Sequence, residues 1–214
     1  GYDHAILKAE RKQAKVKKVT IAGAEVNTEN RKAAKQGSIV AEANLFAREL
    51  QNLPANILTP KEFAARARKV CRGNAKLTVK VLGRRQLQEL GAGSLLGVAQ
   101  GSANEPQLVH MVYKPGRKSK GKVALVGKGL TFDTGGISLK PSAGMEDMKF
   151  DMSGAAAVLG AFEGLAKGAE CDYEVHGILG CVENMPGSNA QRPGDIVTAM
   201  NGLTIEVLNT DAEG

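Results

Sequence analysis

The sequence predicts an α/β protein, because strand-like runs alternate along the chain with helical segments. Four apolar runs have the length and composition of strands, at residues 77–82, 108–113, 123–126 and 173–182. Helical patterns occupy residues 27–52, 59–72 and 153–166. The chain has 214 residues, 43% hydrophobic and 24% charged, which is ordinary for a globular protein with a buried core.

The first two helices carry start and stop signals. Asn27 is a good N-cap for a helix that we expect to run to about residue 52, where Leu53-Pro54 ends it. Residues 59–62, Thr-Pro-Lys-Glu, form a capping box with proline at the first helical position. This second helix should end near Gly73. Before both helices, residues 16–21 resemble a strand with little nearby to pack against.

The remaining elements follow from composition and turn residues. Residues 84–90 predict a short helix, and the small residues of 153–166 are typical of a helix packed closely on a sheet. A turn at 192–195 precedes a last strand at 203–208. His110 and His176 fall within strands, and we interpret both as structural because no spacing connects them with the acidic residues.

A segment from residue 122 to 152 concentrates charged residues and glycines behind an apolar run. We expect the strand at 123–126 to end at Gly127 and to lead into an irregular loop. Lys128, Asp133, Lys140 and Asp151 follow, separated by glycines that let the backbone turn tightly. The segment therefore predicts a site in which these charges meet.

Neither of two common phosphate-binding loops fits this segment. A dinucleotide fingerprint that starts at Gly127 needs its third glycine at position 132, which is Phe132. A Walker loop needs Ser or Thr after its lysine, but Lys128 is followed by Gly129. Carboxylates and amines remain, and carboxylates are the ligands of hard divalent cations.

The end of the chain adds two more carboxylates. Alone, Asp133 or Asp151 would more often be a turn residue or a helix cap than a metal ligand. Asp211 and Glu213, however, follow the predicted strand at 203–208, which places two further acids at a second strand end. Four carboxylates at strand ends predict one site for two metal ions.

Two stretches of the chain closely resemble the signature blocks of the leucyl aminopeptidase family, the dinuclear metallo-aminopeptidases also called cytosol aminopeptidases. They are GKGLTFDTGGISLKPSAGMEDMKFDMSGAAAV and NTDAEG. The resemblance implies a mixed sheet flanked by helices, truncated at its C-terminal side. It also implies that residues 1–26 are the tail of an N-terminal domain or a linker, and that 27–214 are the first part of the catalytic domain.

The resemblance further implies a role for individual residues. Two divalent ions, Mn²⁺ or Zn²⁺, would be held by Lys128, Asp133, Asp151, Asp211 and Glu213. Asp133 and Glu213 would bridge the ions. Lys140 would be the catalytic lysine, and Met148 would help line the pocket for the first side chain of the substrate. The family motif continues NTDAEGR, and its arginine, which positions a bicarbonate general base, would lie beyond Gly214.

The chemistry explains why such a site uses these residue types. Two neighbouring dications lower the pKa of a shared water and stabilise the tetrahedral intermediate of peptide hydrolysis. A lysine ligand must be a neutral amine, so Lys128 should be deprotonated when metal is bound. Lys140 is useful only as a cation that polarises the scissile carbonyl. The two lysines are therefore expected to have opposite protonation states.

The expected activity is the removal of N-terminal residues, leucine and other large apolar ones, from peptides with a free N-terminus. The family resemblance implies a homo-oligomer, a hexamer. Because the strongest motif reaches Gly214, we expect these residues to belong to a longer polypeptide or a paired fragment, and to have little activity alone. Three cysteines without a C-x-x-C pattern favour reduced thiols in the cytoplasm, and no apolar run is long enough for a membrane span.

Charge leaves one alternative open. Residues 1–122 carry 24 Lys and Arg against 9 Asp and Glu, whereas residues 123–214 carry 5 against 13. The basic runs at 8–18 and 114–122 could contact nucleic acid phosphates, although solvated faces are the commoner explanation. The alternative is a nucleic-acid-binding or structural protein that retains the aminopeptidase motifs without activity.

Overall fold

The computed structural model describes residues 18–23 and 25–214. The helices of this part of the chain are α1 Thr28–Asn52, α2 Pro60–Cys71, α3 Arg84–Glu89, α4 Gly93–Val98 and α5 Ser153–Ala166, with 3-10 helices at Ala99–Gly101 and Met145–Phe150. The strands are β1 Leu77–Leu82, β2 Gln107–Tyr113, β3 Lys122–Asp133, β4 Glu174–Asn184, β5 Ile196–Thr198 and β6 Thr204–Glu206. Within the described residues, no helix is both long enough and apolar enough to cross a bilayer.

Four strands form one mixed sheet in the order β1-β2-β4-β3. β2 pairs antiparallel with both β1 and β4, whereas β3 and β4 run parallel. A parallel pair needs a crossover connection, and α5 supplies it between β3 and β4. The predicted α/β class, with a mixed sheet flanked by helices, is confirmed.

The predicted helix boundaries are confirmed where local signals set them. The Asn27 side chain caps α1 by accepting a hydrogen bond of 2.8 Å from the Asn30 backbone N–H, and Leu53 follows the last helical residue. Thr59 caps α2 in the same way through the Glu62 backbone N–H. Helix α5 has the predicted bounds, and its small residues let it approach α1 closely. A Cβ on Gly160 would lie 3.1 Å from the Ala43 carbonyl oxygen.

The main core lies between one face of the sheet and the helices α2 and α5. Phe63 and Phe162 from these helices are fully buried against Met111 and Leu179 of the sheet. The opposite face is covered at one end only, where α4 and the 3-10 helix after it pack on Leu130 and other residues of the strands. Val126, elsewhere on that face, remains 74% exposed. The two faces of the sheet therefore differ sharply in cover.

Three sequence predictions were wrong or incomplete. The strand predicted to end at Gly127 continues to Asp133, because Gly127 and Gly129 are close-approach positions inside the strand. The last strand is shorter than predicted and pairs with β5, outside the main sheet, so Asp211 and Glu213 follow a small hairpin. The predicted strand at 16–21 lies partly outside the described residues, and residues 18–21 are not in a strand.

Candidate metal centre

The parallel pairing of β3 and β4 positions the first acidic residue. Asp133 and Asn184 end these strands as register partners. Asp133 is 2% exposed, and its Oδ1 accepts hydrogen bonds of 2.9 Å from the Asn184 side-chain amide and the Gly135 backbone N–H. Two donors fix one carboxylate oxygen and leave Oδ2 for another partner. A buried carboxylate with this support is held in one orientation.

The loop after β3 brings Lys140 back to Asp133. Gly135 and Gly136 have φ angles of +86° and +68°, which a side chain would strain, and they let the chain reverse. The Lys140 backbone N–H then donates to the Thr134 carbonyl at 2.9 Å. As a result the Lys140 Nζ lies 3.3 Å from Asp133 Oδ2 and also pairs with Asp211 Oδ1.

Thr210 attaches the segment after the β5–β6 hairpin to this loop. Its hydroxyl donates to the Gly135 carbonyl at 2.6 Å and accepts from the Ser138 backbone N–H at 2.8 Å. The Asn184 side-chain amide also donates to the Thr210 carbonyl at 2.9 Å. Because Thr210 is held on several sides, the following residues Asp211 and Glu213 are brought to the end of β3.

Lys128 lies between two further carboxylates. Its Nζ is 2.8 Å from Asp151 Oδ2 and 2.6 Å from Glu213 Oε1. The 3-10 helix Met145–Phe150 brings Asp151 to this position. The backbone N–H of Asp151, the residue after the helix, donates to the Met148 carbonyl at 3.3 Å. Burial opposes the charge on Lys128, but the carboxylates of Asp151 and Glu213 outweigh it and raise the pKa of the ammonium to about 12.

The carboxylates are arranged as a cation site. Asp133, Asp151 and Glu213 each offer one oxygen, and these three oxygens lie within 4.8 Å of one another. Glu213 Oε2 is buried without a hydrogen bond, and the buried oxygens Asp151 Oδ2 and Glu213 Oε1 have only the Lys128 ammonium beside them. Burial raises the pKa of Asp151, and the neighbouring Asp133 adds to the rise against the opposing effect of Lys128. Buried, unsatisfied carboxylate oxygens fit hard divalent cations.

Comparison with protein families identifies this arrangement. Residues 45–214 match the family model described as the cytosol aminopeptidase family, catalytic domain. The chain belongs to the cytosol aminopeptidase family. The resemblance stated from the two motifs is thereby confirmed.

Individual relatives of the cytosol aminopeptidase family agree over nearly the whole chain. A probable cytosol aminopeptidase of Rhizobium etli is 53% identical over 205 residues, which are 96% of this chain and 40% of the relative. One from Brucella anthropi is 56% identical over 198 residues, covering 92% of this chain and 39% of the relative. The chain thus spans about two fifths of the length of these relatives.

A solved structure extends the similarity to the fold. The bottromycin maturation enzyme BotP in complex with Mn aligns with a TM-score of 0.80 and 44% sequence identity. The alignment covers 88% of this chain and 40% of that one. The arrangement of strands and helices is therefore that of a cytosol aminopeptidase catalytic domain.

The structure brings the predicted ligand residues and the predicted catalytic lysine together at the end of β3. The acids and lysines that meet there are Lys128, Asp133, Lys140, Asp151, Asp211 and Glu213. Met148 is half-buried on the 3-10 helix that leads to Asp151. Which of these residues bind metal, which is catalytic, and whether Met148 lines a substrate pocket stay predictions.

Asn184, Thr210 and Ser138 position the acids, and sequence reasoning missed all three. Asn184 could have been found by pairing the ends of the two parallel strands, since it is the register partner of Asp133. Thr210 and Ser138 are 72 residues apart and carried no such signal.

Next to the acids, a cavity of about 630 Å³ is lined by Leu130, Val182, Ile205 and Glu213 among others.

Three of the five basic residues in the run 114–122 form ion pairs within the protein. Arg117 and Lys120 both pair with Asp172, and Lys122 Nζ lies 3.3 Å from Glu174 Oε1. The other basic run, 8–18, lies outside the described residues except for Lys18. Ion pairing inside the chain reduces the positive charge available for phosphate contacts.

Proposed function

We propose that this chain supplies the metal centre of a metal-dependent aminopeptidase that removes leucine and other large apolar residues from the N-terminus of peptides. One observation carries the proposal: three carboxylates offer oxygens within 4.8 Å of one another, and two lysines lie beside them. Family membership supports the reaction class.

Two divalent ions, Mn²⁺ or Zn²⁺, are the proposed cofactors. The similar enzyme BotP was solved in complex with Mn, and carboxylate ligands suit this metal. Bound there, such ions supply Lewis acidity and a bound water of lowered pKa. The residues that would hold the ions are Lys128, Asp133, Asp151, Asp211 and Glu213. A bicarbonate general base, held by the arginine of the NTDAEGR motif, belongs to the same proposal.

The two lysines have different tasks in this proposal. Lys128 binds as a neutral amine, which requires it to lose the proton that Asp151 and Glu213 stabilise in the metal-free site. Lys140 keeps its proton, because Asp211 and also Asp133 raise the pKa of its ammonium. A cation at this position polarises the scissile carbonyl and neutralises the oxyanion that develops on it. Met148 contacts the first side chain of the substrate.

The partners and the cellular setting are proposals of the same kind. Peptides with a free N-terminus are the substrates, a homo-hexamer is the assembly, and the cytoplasm is the location. Each follows from the family resemblance and the name of the relatives, and the chain spans only about two fifths of those relatives. Nucleic acid binding is not favoured, because three of the five basic residues in the run 114–122 pair with Asp172 or Glu174.

Peptidase activity can be tested in a fusion of this chain to the C-terminal segment of the Rhizobium etli relative. After chelation and dialysis, the fusion should hydrolyse leucine anilide only when Mn²⁺ or Zn²⁺ is restored. N-acetyl-leucine anilide is the matched control substrate, because it lacks the free amine, and it should not be cleaved. Metal-independent cleavage, equal cleavage of the acetylated substrate, or inactivity with both ions bound would contradict the proposal.

A further inference from the structure

Two histidines lie together on the face of the sheet opposite α2 and α5. In the antiparallel register of β2 and β4, His110 pairs with Ile178 and His176 pairs with Val112, so the histidines are diagonal neighbours. Their rings stack with centroids 5.2 Å apart and an interplanar angle of 18°. His110 Nε2 lies 3.0 Å from His176 Nδ1. The flanking residues Val109 and Met111 point into the main core and are fully buried.

Glu174 fixes the orientation of His176. Its Oε1 lies 2.9 Å from His176 Nε2 and 3.3 Å from Lys122 Nζ. The hydrogen bond with His176 and that with Lys122 hold the pKa of Glu174 below its ordinary value. Glu174 is therefore an ionised acceptor, so His176 Nε2 must carry the proton. The lone pair of a neutral His176 then lies on Nδ1, which faces His110.

We propose that His110 and His176 form a binding site for a transition-metal cation such as Zn²⁺, Cu²⁺ or Ni²⁺. His110 Nε2 and His176 Nδ1 are the two ligands, and Glu174 is the carboxylate that orients His176. A carboxylate bonded to the far nitrogen of a metal-ligating histidine is the usual support for such a ligand.

The distance between the two nitrogens suits a shared cation. Two imidazole nitrogens bound to one zinc ion, at ~2.0–2.1 Å each, lie about 3.0–3.4 Å apart. The observed 3.0 Å lies at the lower end of this range, and each lone pair must turn by about 40° from the N–N line to point at one ion. Two protein ligands leave the other coordination positions to water, which makes the site exchangeable.

Burial favours the neutral form of His110, which is the form that binds metal. Burial, followed by the charges of His176 and Lys80, lowers the pKa of His110. In the metal-free pair His110 Nε2–H donates to His176 Nδ1. On binding, that proton moves to His110 Nδ1 through solvent, so the metal replaces one hydrogen bond without net proton release.

The histidine pair is separate from the acidic centre in position and in preference. Lys128, the proposed ligand nearest in register, is paired with Gly180, four positions from His176 along β4 or about 13 Å. Imidazole suits Zn²⁺, Cu²⁺ and Ni²⁺, whereas carboxylates suit Mg²⁺ and Mn²⁺. The two centres therefore offer different donor atoms, mainly carboxylate oxygens in one and imidazole nitrogens in the other.

Copper binding to the purified 214-residue chain tests the proposal. One equivalent of Cu²⁺ is added with excess Mg²⁺, which occupies oxygen ligands. Electron spin echo envelope modulation then detects the remote ring nitrogen of a Cu²⁺-bound imidazole, which a lysine amine lacks. We expect the signal of two imidazoles, reduced to one or none in His110→Gln and in His176→Gln.

Matched variants distinguish metal binding at this pair from binding at the other histidine and from loss of the folded structure. His4→Gln removes the third histidine of the chain and should leave the signal unchanged. Glu174→Ala should weaken Cu²⁺ binding about 10- to 100-fold, the usual effect of removing such a carboxylate. Far-UV circular dichroism verifies that each variant folds. Absence of imidazole modulation in the folded parent would overturn the proposal. So would its persistence in a folded variant that carries both His110→Gln and His176→Gln.

Discussion

The two halves of strand β3 differ in cover and in task. Its first five residues, 122–126, are exposed or half-exposed, and Val126 is 74% exposed. From Gly127 to Asp133 the strand is mostly buried and carries the acidic centre. β4 is the neighbour of both halves, with one shift of register between Leu130 and Phe132 in the second half. What differs is the packing above the strand.

The second half of β3 is covered because the backbone of α5 lies close to it. A Cβ on Gly127 would lie 2.6 Å from the Ala155 Cα, so the start of α5 lies directly on the strand. The segment after the hairpin adds Thr210, which bonds to Gly135 and Ser138. Water exclusion strengthens electrostatic interactions, so a charged site gains most from the covered half. Glycines in β3 therefore determine which part of the strand can hold a charged site.

The largest expected effect is on Asp133, which the family resemblance implies to be a ligand shared by both ions. Asp133→Asn keeps an acceptor for Gly135 and Asn184 but removes the negative charge, so the fold should persist. We expect calorimetric titration with Mn²⁺ to show loss of binding at both positions, by more than about 100-fold, because a shared ligand couples the ions.

Asp147→Asn is the matched control for this variant. Asp147 is an exposed acid on the 3-10 helix that leads to the centre, and its loss should leave the isotherm unchanged. A two-site isotherm that survives in Asp133→Asn would remove Asp133 from the bridging position. Loss of a single site would make it a terminal ligand.

The next effect separates binding from catalysis within the same half. Lys140→Ala, measured in the fusion used for hydrolysis, should keep its metal content and lose about 10²- to 10³-fold in kcat, the effect of removing one oxyanion stabiliser. Lys118→Ala, at an exposed lysine of the basic run, should have wild-type kcat. Unchanged kcat in Lys140→Ala would show that this lysine takes no part in the reaction.

A smaller effect is expected when a side chain is placed between β3 and α5. Gly127→Ala places a methyl group against the α5 backbone, with Ala155 N at 2.7 Å, and neither element can move without disturbing the sheet. We expect a decrease of about 1–3 kcal/mol in the free energy of unfolding by urea. A decrease below the error of the measurement would mean that the strand and α5 separate easily.

The smallest effect should come from the neighbouring position in the open half. Val126→Thr changes a side chain that is 74% exposed, so the free energy of unfolding should stay within about 0.5 kcal/mol of the parent. The same urea titration measures both variants. A loss at residue 126 comparable to that at residue 127 would show that the sheet face carrying Val126 is covered in solution.

Local signals explain which parts of the fold could be predicted. The ends of α1 follow from Asn27 and Leu53-Pro54, and the small residues of α5 indicate its packing on the sheet. The full length of β3 could not be predicted, because a glycine inside a strand indicates a break until the helix above it is known. The β5–β6 hairpin has only three residues in each strand, too few for a clear alternation.

The motifs predicted the acidic centre, but they did not predict the residues that hold its acids in place. Asp133, Asp151 and Glu213 stand in the two family-like blocks, so their proximity was expected. Asn184 and Thr210 hold these acids through hydrogen bonds between residues 26 or more apart in the sequence. Such contacts depend on strand register and loop closure, which no local pattern encodes.

The central claim, that the acids at the end of β3 bind divalent metal, is tested most directly by anomalous diffraction from crystals of the chain grown with Mn²⁺. We predict two anomalous peaks within bonding distance of the carboxylates of Asp133, Asp151, Asp211 and Glu213, with Lys128 Nζ on one of the ions. The absence of any peak among these carboxylates, with Lys128 still paired to Asp151 and Glu213, would contradict the account.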